Sequence, residues 1–140
     1  MPDPEKVAEV VSEWVVRAEN DLKTTQIILG AGRGMPTDTA AFHAQQCIEK
    51  YIKGLLTARG IQFPKTHNIR KLVEMLPADA QLTLSQGEQD ELTDYATGVR
   101  YPGGGDVSLK EARHALALAQ RVRTEIRRQL PKEALRRRKS

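Results

Sequence analysis

Residues 41–60 read AFHAQQCIEKYIKGLLTARG. Polar and apolar residues alternate here in steps of three and four, not in steps of two. Ala40, Ala44, Cys47, Ile48, Tyr51, Ile52, Leu55 and Leu56 fall on one stripe, the pattern of a helix that buries one side. The spacing predicts a helix from about Asp38 to Arg59, with Gly60 where a C-terminal capping glycine belongs. Flanking the stripe, His43, Gln46, Lys50 and Lys53 share a face, and Gln45 and Glu49 lie four apart on another flank. The stretch is therefore a core helix on one side and the candidate wall of a cleft on the other.

The same periodicity extends through the chain. Val7, Val10, Val11, Trp14, Val15, Ala18, Leu22, Ile28 and Leu29 mark a first helix over residues 5–30. Gly30, Gly32 and Gly34 stop it, and Pro36 separates it from the next. After Phe63-Pro64, a short helix starting near Thr66 carries Ile69, Leu72, Val73 and Leu76 inward until Pro77. Thr66 is placed to cap it and His67 to cover it. Ser85-Gln86-Gly87-Glu88 and Ser108-Leu109-Lys110-Glu111 are capping boxes that open two further helices. Between these two lies Arg100-Tyr101-Pro102-Gly103-Gly104-Gly105, which cannot remain helical. In a turn there, Arg100 can pair an acid such as Asp94 or Glu49. The last helix points Ala112, Ala115, Leu116, Ala119, Val122, Ile126 and Leu130 inward before Pro131. No alternating strand pattern is found. The expected fold is all-α, an antiparallel, up-and-down bundle of four long helices plus a short one. It forms a single domain over residues 1–130, followed by a basic tail at 131–140.

A chain of 140 residues can bury a core without covalent staples. One cysteine excludes an internal disulfide and points to the cytoplasm. The acidic, amphipathic N-terminus is unlike a signal peptide, and no apolar run reaches membrane-spanning length, so no membrane role is expected. Charge is unevenly placed. Residues 121–140 hold nine Lys/Arg against two acids, a net +7, while the first 120 residues carry −3. Such an end can attract phosphate or serve as a solvated tail.

The chemistry-bearing residues exclude several classes. His43 and Cys47 have metal-ligand spacing, but His67 and His114 are single, so no metal and no cofactor are expected. Cys47 reads as a small core residue. No Ser/His/Asp set stands out, and the glycines at 103–105 lack the Lys-Ser/Thr of a P-loop. The residues alone describe a helical binding or interaction domain.

Trp14, Ala18 and Asp21-Leu22, then Ala41-Phe42-His43-Ala44-Gln45-Gln46-Cys47-Ile48-Glu49-Lys50 with Lys53 and Leu55-Leu56, then Phe63-Pro64-Lys65-Thr66-His67 and Arg100-Tyr101-Pro102 together resemble the HEPN domain (higher eukaryote and prokaryote nucleotide-binding). The resemblance covers about residues 10–130 and implies a helical bundle. It further implies one of two activities. Some HEPN proteins are metal-independent ribonucleases, often toxins, whose dimer brings together an Arg and a His that follows it closely. Arg100 matches that Arg, but Gly105, Asp106 and Val107 stand where the His belongs, so enzymatic activity is not the leading expectation. If cleavage occurs, Arg100 with His43 or His67 would carry it. Other HEPN proteins bind nucleotides or accompany a minimal nucleotidyltransferase in a toxin–antitoxin-like pair. The resemblance implies this second role here, in a homodimer that binds an ATP- or GTP-class nucleotide or RNA. The candidate nucleotide-binding residues are Lys50, Lys53, Lys65, His67, Arg100 and Tyr101, the last by stacking on a base. A non-catalytic adaptor is the remaining alternative.

Overall fold

The computed structural model describes residues 3–97 and 106–136. Arg100 and Tyr101 lie outside these residues. The described chain is helical and contains no strand: α1 (Pro4–Gly30), α2 (Thr37–Ala58), α3 (Ile69–Glu74), a 3-10 turn at Ala78–Ala80, α4 (Gln86–Thr97), α5 (Leu109–Arg127) and α6 (Lys132–Leu135). The four long helices and the short third one are those read from the periodicity.

Side-chain signals set the helix ends. Asp3 accepts from the Glu5 amide and Pro4 occupies the first turn of α1, where a missing N–H costs nothing. At the end of α2, Gly60 adopts φ +71°. Its amide and that of Ile61 then donate to the carbonyls of Thr57 and Leu56, closing the helix as a left-handed glycine allows. Both expected capping boxes form: Ser85 and Glu88 exchange bonds with each other's amides, as do Ser108 and Glu111. One boundary differs. α3 starts at Ile69 and not near Thr66, because Asn68 accepts from the Lys71 amide and is the cap. Thr66 instead accepts from the Asn68 amide just ahead of the helix.

The pairings fix the helix directions. Along α1 and α2, Thr25 bonds the Ala40 carbonyl, Asp21 meets His43 and Lys50, and Trp14 abuts Gly54. One register falls as the other rises, so the pair is antiparallel. Glu88 meets Arg121 while Thr83 meets Glu125, which makes α4 and α5 antiparallel too. α2 lies at the centre, packed on α1, α5, α4 and α3. Its Ile48, Tyr51, Ile52, Leu55 and Leu56 are fully buried with Leu72, Leu92 and Ile126. Alanines at 40, 41, 44, 112, 115 and 119 are fully buried as well, and their small size lets the helices approach closely. Packing continues past residue 130: α6 lies against α1, with Ala134 buried. No helix among the described residues is long and apolar enough to cross a membrane.

Candidate functional site

A strip of α2 remains partly open to solvent. It carries Phe42, His43, Gln46 and Lys50, which occupy about a third of the helix circumference. α1 borders it on one side and contributes Asp21. The loop before α3 borders it on the other and contributes His67.

Two carboxylates organise the charged groups. Asp21, on the buried side of α1, lies 2.8 Å from His43 Nδ1 and also accepts from Lys50 Nζ. Glu49, 3% exposed, accepts from Gln45 Nε2 at 3.0 Å and Lys53 Nζ at 3.0 Å, and lies 2.8 Å from His67 Nδ1. Gln46 in turn donates to Gln45. Each carboxylate thus holds one imidazole and one ammonium. An ionised carboxylate only accepts, so the proton of each bond sits on Nδ1. Neither Nε2 has a hydrogen-bond partner among the described residues.

The sequence candidates separate accordingly. Lys53 is held inside. Its ammonium is bound to Glu49 and sits 5.8 Å from the Trp14 ring centroid and 5.9 Å from that of Phe63, a site shaped to hold that cation in place. Lys50 remains partly exposed but is paired with Asp21. His67 is mostly exposed, and Lys65 is exposed two residues before it. Arg100 and Tyr101 fall outside the described residues. Just beyond them, Thr37 Oγ1 donates to the Val107 carbonyl at 2.6 Å, so the chain re-enters the described fold at the first residue of α2. The pairing of Arg100 with Asp94 or Glu49 that the sequence allows therefore lies outside the described residues as well, while the Glu49 oxygens accept from Gln45 and Lys53 and meet His67. Sequence spacing misses Asp21, which orients two of these groups from another helix. It also passes over Phe42, whose exposed ring stands edge-to-face to His43.

Other polar groups are structural. Glu19 binds Arg123 through both oxygens and also meets Arg127, which donates to the Tyr51 hydroxyl. Burial pushes the Cys47 thiol far up and the Tyr51 hydroxyl up to about 12, so neither is a nucleophile at neutral pH. Among the described residues no group of His, Cys, Asp and Glu could hold a metal ion. A broad groove at the end of the bundle away from Thr37 is lined by Val7, Ala8, Ala58, Ile61 and Phe63. Among the described residues, none of the candidates lines it.

Comparison with known proteins agrees with this architecture. The profile of the HEPN domain matches residues 11–129. The crystal structure of TT1696 from Thermus thermophilus superposes with a TM-score of 0.71 at 30% identity, covering 87% of this chain and 99% of that one. That of ST0689, described as an archaeal HEPN homologue, superposes with a TM-score of 0.64 at 25% identity, covering 86% of this chain and 98% of the other. No curated protein matches. The helical bundle, its central α2 and a family match spanning most of the chain lead to one assignment: the protein belongs to the HEPN domain family.

Proposed function

We propose that this HEPN domain is a nucleotide-binding module of the cytoplasm. In this reading it acts as a homodimer beside a nucleotidyltransferase partner in a toxin–antitoxin-like pair. The supporting observation is the paired arrangement on α2. Asp21 and Glu49 fix two partly exposed imidazoles through Nδ1, leaving Nε2 without a partner among the described residues, together with Lys50 and the exposed Lys65. A phosphate chain needs several donors held in advance, because ordering them at the moment of binding costs affinity. The two ammonium groups donate as they stand, and an imidazole donates from Nε2 to phosphate in its doubly protonated form. Arg100 would add a guanidinium, and Tyr101 a stacking ring. The partner follows from the family resemblance, and a neighbouring reading frame encoding a nucleotidyltransferase would support it.

Calorimetry with ATP and GTP tests the binding claim. Saturable heat that is lost in Arg100→Ala and weakened in His43→Ala is expected. Absence of heat with both nucleotides would refute it and favour an adaptor role.

One observation favours a second reading as a metal-independent ribonuclease. An imidazole whose Nδ1–H is held by a carboxylate, as Asp21 holds His43, presents Nε2 as a general base, and Arg100 could stabilise the charged phosphorane. RNA cleavage in chelator that His43→Ala and Arg100→Ala both abolish would establish it. Cleavage indifferent to either would reject the site.

A further inference from the structure

Phe42 is 37% exposed on the open strip of α2. A single exposed apolar residue is ordinary on a protein surface, so its neighbours decide its meaning. His43 stands against it at 5.3 Å between centroids and 83° between planes. Asp21 anchors His43 in turn, so the Phe42 ring abuts a side chain that is itself tied to the fold. Gln46 and Lys50 follow on the same strip, one and two turns along. The surface therefore offers an aromatic ring immediately beside nitrogen donors. A nucleoside phosphate presents the matching pair, a flat apolar base next to an anionic chain.

We propose that Phe42 is a base-stacking element of this site, additional to Tyr101, so that the ligand is a nucleoside phosphate recognised through its base and not through its phosphates alone. This rests on the nucleotide-binding reading above and adds a base subsite to it. Stacking against an aromatic ring tolerates any base, so the subsite admits ATP and GTP alike. Spacing alone does not reveal it, since Phe42 sits beside the apolar stripe and resembles one more core residue.

The test compares ATP with inorganic tripolyphosphate, using the full chain and its Phe42→Ala and Phe42→Tyr variants. The side chain is partly exposed, so folding should survive, and thermal melting verifies this. Phe42→Ala is expected to weaken ATP binding roughly ten- to a hundred-fold, to leave tripolyphosphate binding unchanged, and to be rescued by Phe42→Tyr. The fluorescence of a 2-aminopurine nucleotide should be quenched on stacking in the unaltered chain and released from quenching by Phe42→Ala. Equal losses for ATP and tripolyphosphate would overturn the stacking role and make Phe42 a support for His43. Unchanged ATP affinity, with or without a shift in sedimentation that marks a contact between copies, would overturn it as well. If the unaltered chain binds ATP no more tightly than tripolyphosphate, the base subsite fails while the phosphate site stands. If it binds neither, both readings fall together.

Discussion

Among single residues, Glu49 is the centre of the most buried polar network. Removing its carboxylate leaves Lys53 charged against two aromatic rings and Gln45 without its acceptor. Breaking such a pair from one side costs about 3 kcal/mol or more. Glu49→Ala is therefore expected to lower stability by that amount in urea denaturation, and a loss under about 1 kcal/mol would show the network to be loosely coupled. Cys47 sets a different test. Burial, then the charge of Glu19, raises its thiol well above the ordinary 9.0. The folded state then holds this proton more tightly than the unfolded state does. The resulting stability is fully present below the ordinary value of 9.0 and falls as pH rises further, and Tyr51 adds a decline between 10.0 and about 12. Cys47→Ala should flatten the first part of that alkaline limb, and the native thiol should resist Ellman's reagent until the chain unfolds. The Gln45–Glu49 spacing is visible in the sequence of α2, whereas Lys53, which the spacing groups with His43, turns to Glu49 in the fold. The reach of Asp21 to Lys50 and His43 is not visible there, because that contact depends on how two helices cross.

Among the helices, the α1–α2 crossing is set by Gly54. A Cβ there would lie 3.2 Å from the Trp14 Cβ, closer than side chains normally pack. A glycine inside a helix costs about 1 kcal/mol relative to alanine, so its presence marks a close approach between helices. Gly54→Leu should overpack the crossing and destabilise by about 1–3 kcal/mol, read from the urea midpoint. A neutral result would mean that the helices separate without penalty. Helix positions and both capping boxes are legible in the sequence, because spacing and local hydrogen bonding determine them. The start of α3 is not, since Thr66 and Asn68 are both competent caps and only the folded loop selects Asn68. The turn of α6 reads as tail in the sequence because so short a helix carries no periodic signal, and the burial of Ala134 against α1 is a tertiary fact.

For the molecule as a whole, the basic end is less free than its composition suggests. Arg121 is paired with Glu88, and Arg123 and Arg127 with Glu19, so acids of the body neutralise part of it. Arg137, Arg138 and Lys139 are candidates for phosphate contact, alongside the exposed Arg128, Lys132 and Arg136. Deleting residues 137–140 leaves α6 in place, whereas cutting at 131 would uncover the core. If the three deleted cations meet RNA, the deletion should reduce the slope of log affinity against log salt by about 2 for a single strand. An unchanged slope would assign the tail to solvent. The proposed function turns on the open face of α2, where Asp21 and Glu49 each hold an imidazole by Nδ1. The imidazole nitrogen NMR spectrum of the unaltered chain, followed through an ATP titration, reads that face without altering it. The Nε2 resonances of His43 and His67 are expected to shift with one common midpoint, while that of His114, on α5 beside Glu88, stays in place. Resonances of His43 and His67 that do not move at saturating ATP would mean that the two imidazoles take no part in binding.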